Sequence, residues 1–146
     1  MANKARYNQL YKVIKFNKPE TIVEVGTWTG ERAIQLIQWA LKYKPYVKYY
    51  GFDLFEDATP ELDEAEFNGK KFHASAEDVA KLLQEAKDSG LNFDFELHKG
   101  NTHVSLHIDG PWKTADFAFI DGGHSVETIK SDYEALKDCK TIVFDD

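Results

Sequence analysis

The chain is poor in cysteine, methionine and proline: one, one and four among 146 residues. A lone cysteine, Cys139, excludes an intrachain disulfide and any fold built on one, and it fits a reducing compartment. Cys139 stands before a run of β-forming residues and reads as a small buried side chain rather than a nucleophile. No apolar run approaches the ~18 residues that a membrane span needs. The first residues lack the apolar stretch of a secretory signal. The expectation is a cytoplasmic protein with no membrane partner. Basic residues are outnumbered by acidic ones, 18 to 25, for a net charge of −7. The lysines are scattered, so no basic stripe invites nucleic acid. Residues 61–66 (Glu-Leu-Asp-Glu-Ala-Glu) concentrate acid and read as a solvated loop or helix face.

What the chain has is 42% hydrophobic and 14% aromatic residues, an ordinary globular balance. Its length suits one domain spanning 1–146. Five stretches read as buried strands: 21–25, 47–53, 93–98, 115–121 and 140–145. Each is β-branched or aromatic and nearly continuous, as expected of strands covered on both faces. Helical stripes lie between them: Tyr7, Leu10, Tyr11 and Ile14 in a helix over about 2–17; Ala33, Ile34, Ile37 and Leu41; Val79, Leu82, Leu83 and Ala86; Val126, Ile129, Tyr133 and Leu136. Ser75 with Asp78 reads as a capping box and Gly90 as a helix stop. Residues 56–74 read as irregular and polar. Strands alternating with helices predict an α/β fold, a parallel sheet with helices on both faces. Ligands in such folds lie beyond the C-terminal strand ends, near the topological switch point.

The residues after each strand are therefore the informative ones. Glu24-Val25-Gly26-Thr27-Trp28-Thr29-Gly30-Glu31 follows the first. Gly26 permits a tight turn and Gly30 a close helix approach. A dinucleotide fingerprint would need glycine at 28 and 31, where Trp28 and Glu31 stand. Glu31 would also set a carboxylate where a pyrophosphate seeks a helix N-terminus. A phosphate-free ligand fits better, and Glu24 is placed to accept from an ammonium group. Asp53, after the second strand, stands where an acid accepts from ribose hydroxyls. Asn101, after the third, suits either an adenine edge or a turn. After the fourth and fifth come Asp121-Gly122-Gly123-His124 and Asp145-Asp146. Three carboxylates gathered together are costly unless a cation neutralises them. All-oxygen donors favour Mg²⁺ before Ca²⁺ or Mn²⁺. The plainer alternative is that Asp121 and Asp145 merely cap strands. His124, one turn beyond Asp121, suits a general base. His73, His98, His103 and His107 lack a partner pattern and read as surface or satisfied residues.

Together these motifs resemble the class I S-adenosylmethionine (SAM) methyltransferases, and among them the small-molecule branch that includes macrocin-type sugar O-methyltransferases. The likeness covers roughly residues 20–146. It implies a three-layer Rossmann-like sheet of strand order 3-2-1-4-5. It implies that Glu24, Gly26 and Gly30 contact the methionine part of SAM, that Asp53 holds the ribose and that Asn101 contacts adenine. Thr27, Trp28, Leu54, Phe55, Thr102 and Asp121 complete the expected coenzyme-binding set. Asp121, Asp145 and Asp146 match the metal ligands of metal-dependent members. His124 matches the base, with Asp121 beside it in the catalytic set. The acceptor implied is a hydroxyl of a small molecule or sugar.

Domains of this family continue past the Asp-Asp pair with further helices and two strands, so the resemblance implies either a fragment of a longer domain or a minimal, truncated form. If the sequence is complete, the 140–145 strand is an apolar sheet edge that invites pairing with a second copy. The rival expectations are a SAM-binding domain without catalysis and a NAD- or nucleotide-sugar-dependent Rossmann enzyme.

Overall fold

The computed structural model describes residues 4–69 and 71–145. The five strands fall where the sequence places them: β1 (Thr21–Val25), β2 (Val47–Asp53), β3 (Phe93–Lys99), β4 (Phe117–Ile120) and β5 (Thr141–Phe144). All pair in parallel, in the order β3-β2-β1-β4-β5. The chain winds outward from β1 to β3, then returns to the other side of β1 with β4. The switch point is therefore the crevice between the tips of β1 and β4.

Side-chain parity sorts the sheet into two faces. Ile22, Val47, Tyr49, Phe117 and Phe119 face one side and pack under α1 (Lys4–Asn17), α2 (Glu31–Leu41) and a later helix, Ala76–Asp88. Val23, Val25, Tyr50, Phe52, Ala118 and Ile120 face the other, beneath Leu106, Trp112, Ala135, Leu136 and Cys139. The expected continuous burial holds for β1, β2 and β4; the outer strands β3 and β5 are half-exposed. On the β5 edge the Phe144 ring is 48% exposed and lies 6.2 Å from the Tyr133 ring. The Cys139 thiol is buried, donates to the Trp112 carbonyl at 3.4 Å and is pushed up to about 11 by burial, as suits an inert core residue.

One segment departs from the sequence expectation. Within 56–74 the chain forms α3 (Pro60–Phe67), preceded by a 3-10 turn at Phe55–Asp57. The signal was present: the Thr59 hydroxyl accepts from the Leu62 N–H at 3.2 Å, and Pro60 occupies the first turn. The helix ends at Asn68, in the left-handed conformation at φ 58°. The next helix, α4 (Ala76–Asp88), opens on the expected cap, with Ser75 accepting from the Asp78 N–H at 3.0 Å. Between β3 and β4 stand a single turn, α5 (Thr102–Ser105), and a 3-10 turn at Pro111–Thr114; α6 (Val126–Leu136) joins β4 to β5. No helix among the described residues is long and apolar enough to cross a membrane.

Candidate functional site

A cavity of about 250 Å³ opens at the switch point. Its floor is the strand tips: Val25 and Gly26, Phe52 to Leu54, Gly100 and Asn101, and Asp121 to Gly123. Its other wall is α3 and the segment after it, with Leu62, Asp63, Glu66, Phe67, Lys71 and His73. Thr102, His103 and Thr128 close the α5–α6 side.

Gly26 makes the floor possible. Its N–H donates to the Phe52 carbonyl at 2.8 Å, while the Asp121 N–H donates to the Val25 carbonyl at 2.8 Å. Its φ is 90°, and a Cβ there would run into the Asp121 backbone. No L side chain fits both demands. Gly30, at φ 89°, serves packing instead: a Cβ would press on Val79 and Leu82 of α4.

The loop between these glycines is tied to β2. The Trp28 N–H donates to Asp53 Oδ2 at 2.8 Å, and the Phe55 N–H donates to Asp53 Oδ1 at 3.0 Å. Two backbone donors thus aim the Asp53 carboxylate at the cavity rim and leave each oxygen a lone pair. The Trp28 indole donates to the Phe72 carbonyl at 2.6 Å, which fastens the loop to the far wall.

Glu24 sits in the interior of the sheet, beside Tyr49. It shares the Ile22 face of β1 by strand parity, is 1% exposed and does not line the cavity. Burial pushes its carboxyl up to about 8, against the lowering effect of the Tyr49 hydroxyl, which donates to it at 2.5 Å. The Tyr49 hydroxyl also stands 3.4 Å from the Thr27 hydroxyl. Glu24 is a prop beneath the loop. Thr27, Gly30 and Phe55 are likewise outside the lining, whereas Gly26, Trp28, Asp53, Leu54, Asn101, Thr102 and Asp121 are in it. Asn101 spends its side-chain oxygen as the cap of α5, accepting from the His103 N–H at 2.9 Å.

At the β4 and β5 tips Asp121 is hydrogen-bonded to Asp145, and burial followed by that neighbour pushes Asp121 up to about 7. Lys71 and Arg32 pull the other way. Two carboxyl groups this close repel one another when both are ionised. Asp146 lies outside the described residues. Among the described residues no three His, Cys, Asp or Glu side chains gather closely enough to hold a metal ion. The donors suit a hard cation in kind, and two of the three expected ligands meet.

His124 is exposed, stands outside the lining and sets its ring edge-on to Phe67 at 4.9 Å. Two other histidines line the cavity. His73 bonds Asp63 at 2.7 Å, and His103 bonds the Thr128 hydroxyl at 3.0 Å. Each has a hydrogen-bond partner, and no local sequence pattern marks either as a site residue. The acidic cluster 61–66 is also not wholly solvated. Asp63 and Glu66, three apart on α3, share a face turned to the cavity. Glu66 accepts from the Ser125 N–H at 2.9 Å, the Ser125 hydroxyl at 3.1 Å and the Thr128 hydroxyl at 3.0 Å, which latches α3 to the start of α6. These donors, offsetting a burial cost, hold its carboxyl below the usual range.

The chain matches a family model described as a methyltransferase domain over residues 23–146. No curated protein matches it. Among solved structures it is similar to the O-methyltransferase TomG from Streptomyces achromogenes, involved in tomaymycin synthesis and solved in complex with SAM. That likeness has a TM-score of 0.62 and 17% identity, covering 94% of this chain and 51% of the other. It is also similar to the methyltransferase PaMTH1 of Podospora anserina bound to SAH, the demethylated coenzyme, with a TM-score of 0.61 and 13% identity over 99% of this chain and 53% of that one. Such identities speak for the fold, and the chain spans about half the length of these relatives.

Proposed function

Because this chain belongs to the methyltransferase-domain family, we propose that it binds SAM in the switch-point cavity and directs its methyl group to a hydroxyl of a small molecule or sugar. The observation that carries the reading is the Asp53 carboxylate, aimed at the cavity rim by the Trp28 and Phe55 N–H groups, beside the glycine-shaped floor at Gly26. A diol such as ribose can take both carboxylate oxygens there. The adenine would extend toward Asn101 of the floor and Thr102 beside it. The lining carries Asp53, Asp63, Glu66 and Asp121 against Lys71 as its fixed cation. That balance suits a sulfonium and an ammonium and opposes a pyrophosphate, which disfavours the NAD and nucleotide-sugar readings.

SAM supplies an electrophilic methyl group when bound. The chain's own part is to hold the acceptor in line, exclude water under α3 and receive a proton. Mg²⁺ assistance would rest on Asp121 and Asp145, with Asp146 as the third carboxylate the sequence offers. A cation held there would supply Lewis-acid activation of the acceptor hydroxyl.

Isothermal titration with SAM and SAH tests the coenzyme reading. We expect binding by the whole chain and at least a tenfold loss in Asp53→Ala. Tritiated SAM with a panel of catechols, phenols and sugars, with Mg²⁺ or with chelator, tests transfer and metal assistance together. Absence of uptake of either coenzyme form by folded protein would sink the reading.

A further inference from the structure

Resting on that reading of the cavity, we propose that His73, held by Asp63, takes the proton of the acceptor hydroxyl, in the place expected of His124. His73 lies in the segment joining α3 to α4 and lines the cavity, whereas His124 is exposed and outside it. The His73 Nε2 meets Asp63 Oδ1 at 2.7 Å. Asp63 is 5% exposed and also accepts from the Lys71 N–H at 3.2 Å. Burial alone would raise its carboxyl; the His73 and Lys71 bonds outweigh that and hold it below the usual range. An ionised carboxylate therefore faces Nε2, which places the hydrogen of the neutral ring on Nε2 and leaves Nδ1 with its lone pair. Among the described residues the His73 ring has no other hydrogen bond.

Position favours the same residue. The Phe72 carbonyl, next to His73 in the chain, accepts the Trp28 indole N–H. Lys71, two residues before it, lies 4.2 Å from the Phe67 ring centre and attracts Asp121. The segment thus runs between the Trp28 loop and the Asp121 tip, the side away from the Asn101–Thr102 end. His103, the other imidazole in the cavity, is at that Asn101–Thr102 end and is tied to Thr128.

The step balances. The O–H bond of the acceptor breaks and its proton goes to Nδ1. The oxygen electron pair forms the new O–CH₃ bond, and the C–S pair returns to sulfur. The sulfonium charge disappears as the imidazolium charge arises, and Asp63 steadies the imidazolium until the proton passes to water. Asp63 is a positioning residue in this scheme.

The test uses the whole chain. Long-range proton–nitrogen NMR of the wild type reads the tautomer and environment of His73 directly. We expect hydrogen on Nε2, loss of that preference in Asp63→Asn, and a shift of the His73 ring signals on saturation with SAH. His73→Gln is expected to leave SAH affinity within twofold. On any acceptor of the catechol, phenol and sugar panel that turns over, it should lower kcat by about 100-fold or more. The acidic limb of the pH profile should go with it, with little change in KM for SAM. Hydrogen on Nδ1, or a His73 ring indifferent to SAH, overturns the proposal even where no panel acceptor reacts. So does a full rate in His73→Gln, with or without a loss in His124→Gln. Absence of SAH binding by the wild type counts instead against the coenzyme reading, so the two failures are told apart.

Discussion

The two faces of the sheet are built on different principles. Under α1, α2 and α4 the packing is aliphatic and aromatic, with Leu36, Ile37, Ala33, Val79 and Leu83 set on Tyr49, Phe93 and Phe117. The buried Glu24 carboxyl on this face accepts from the Tyr49 hydroxyl. On the other face a polar seam runs between α5 and α6: His103 to Thr128, His107 to Ser131 at 3.0 Å, and beneath them Asp132 at 0% exposure. Neither carboxylate oxygen of Asp132 has a well-formed hydrogen bond among the described residues, and the same holds for the Ser105 hydroxyl. Such groups cost stability, a penalty the apolar face does not carry among the described residues. The cavity opens on the polar side, lined by Val25 and Phe52 of that face together with Thr102, His103 and Thr128. The fold thus gathers polar groups around the cavity and apolar packing on the other face.

Leu36→Ala is the severest way to test that division. It empties a fully buried position on the apolar face and should cost about 2–5 kcal/mol, equally at pH 5 and pH 8, in urea denaturation. A loss below 1 kcal/mol would mean that the apolar face does not dominate.

Asp132→Asn probes the opposite face and should act with the opposite sign. Burial, only partly offset by Thr102 and the two histidines, pushes Asp132 up to about 6, above its unfolded value. Its folded-state contribution is therefore intact below about pH 4 and is lost as pH rises through 6. Removing the charge should stabilise the protein by about 1–3 kcal/mol at pH 8 and by almost nothing at pH 4. Equal effects at both pH values would refute the buried-charge account.

The two helix caps give the smallest contrast. Ser75 caps α4 at an exposed site, and its replacement by Ala should cost about 1 kcal/mol. Ser125 caps α6 and also holds Glu66, so Ser125→Ala should cost about 2 kcal/mol and loosen α3, visible as faster amide exchange over residues 60–67. Identical costs and unchanged exchange would show that α3 is not latched through that serine.

Much of this was legible in the residues. Strand parity alone puts Glu24 on the Ile22 face and away from Val25, so its absence from the cavity could have been read from its position in β1. Thr59-Pro60 signalled α3, and the spacing of Asp63 and Glu66 signalled a shared face. The roles of His73 and His124 were not legible. Both follow polar or glycine-containing segments of similar character, and nothing local says which one turns inward. The third carboxylate of the expected trio, Asp146, lies outside the described residues, so the pair at Asp121 and Asp145 is what the structure adds.

Strand positions, the helices other than α3 and the single turn α5, the layering of the sheet and the glycine-shaped turn at Gly26 came from the sequence by itself, because burial parity, capping and positive φ are properties of neighbouring residues. Which carboxylates and imidazoles share the cavity was settled only by the tertiary structure. Glu66 meets Ser125 across 59 residues and Trp28 meets Phe72 across 44, and contacts at that range depend on how α3 comes to rest over the strand tips.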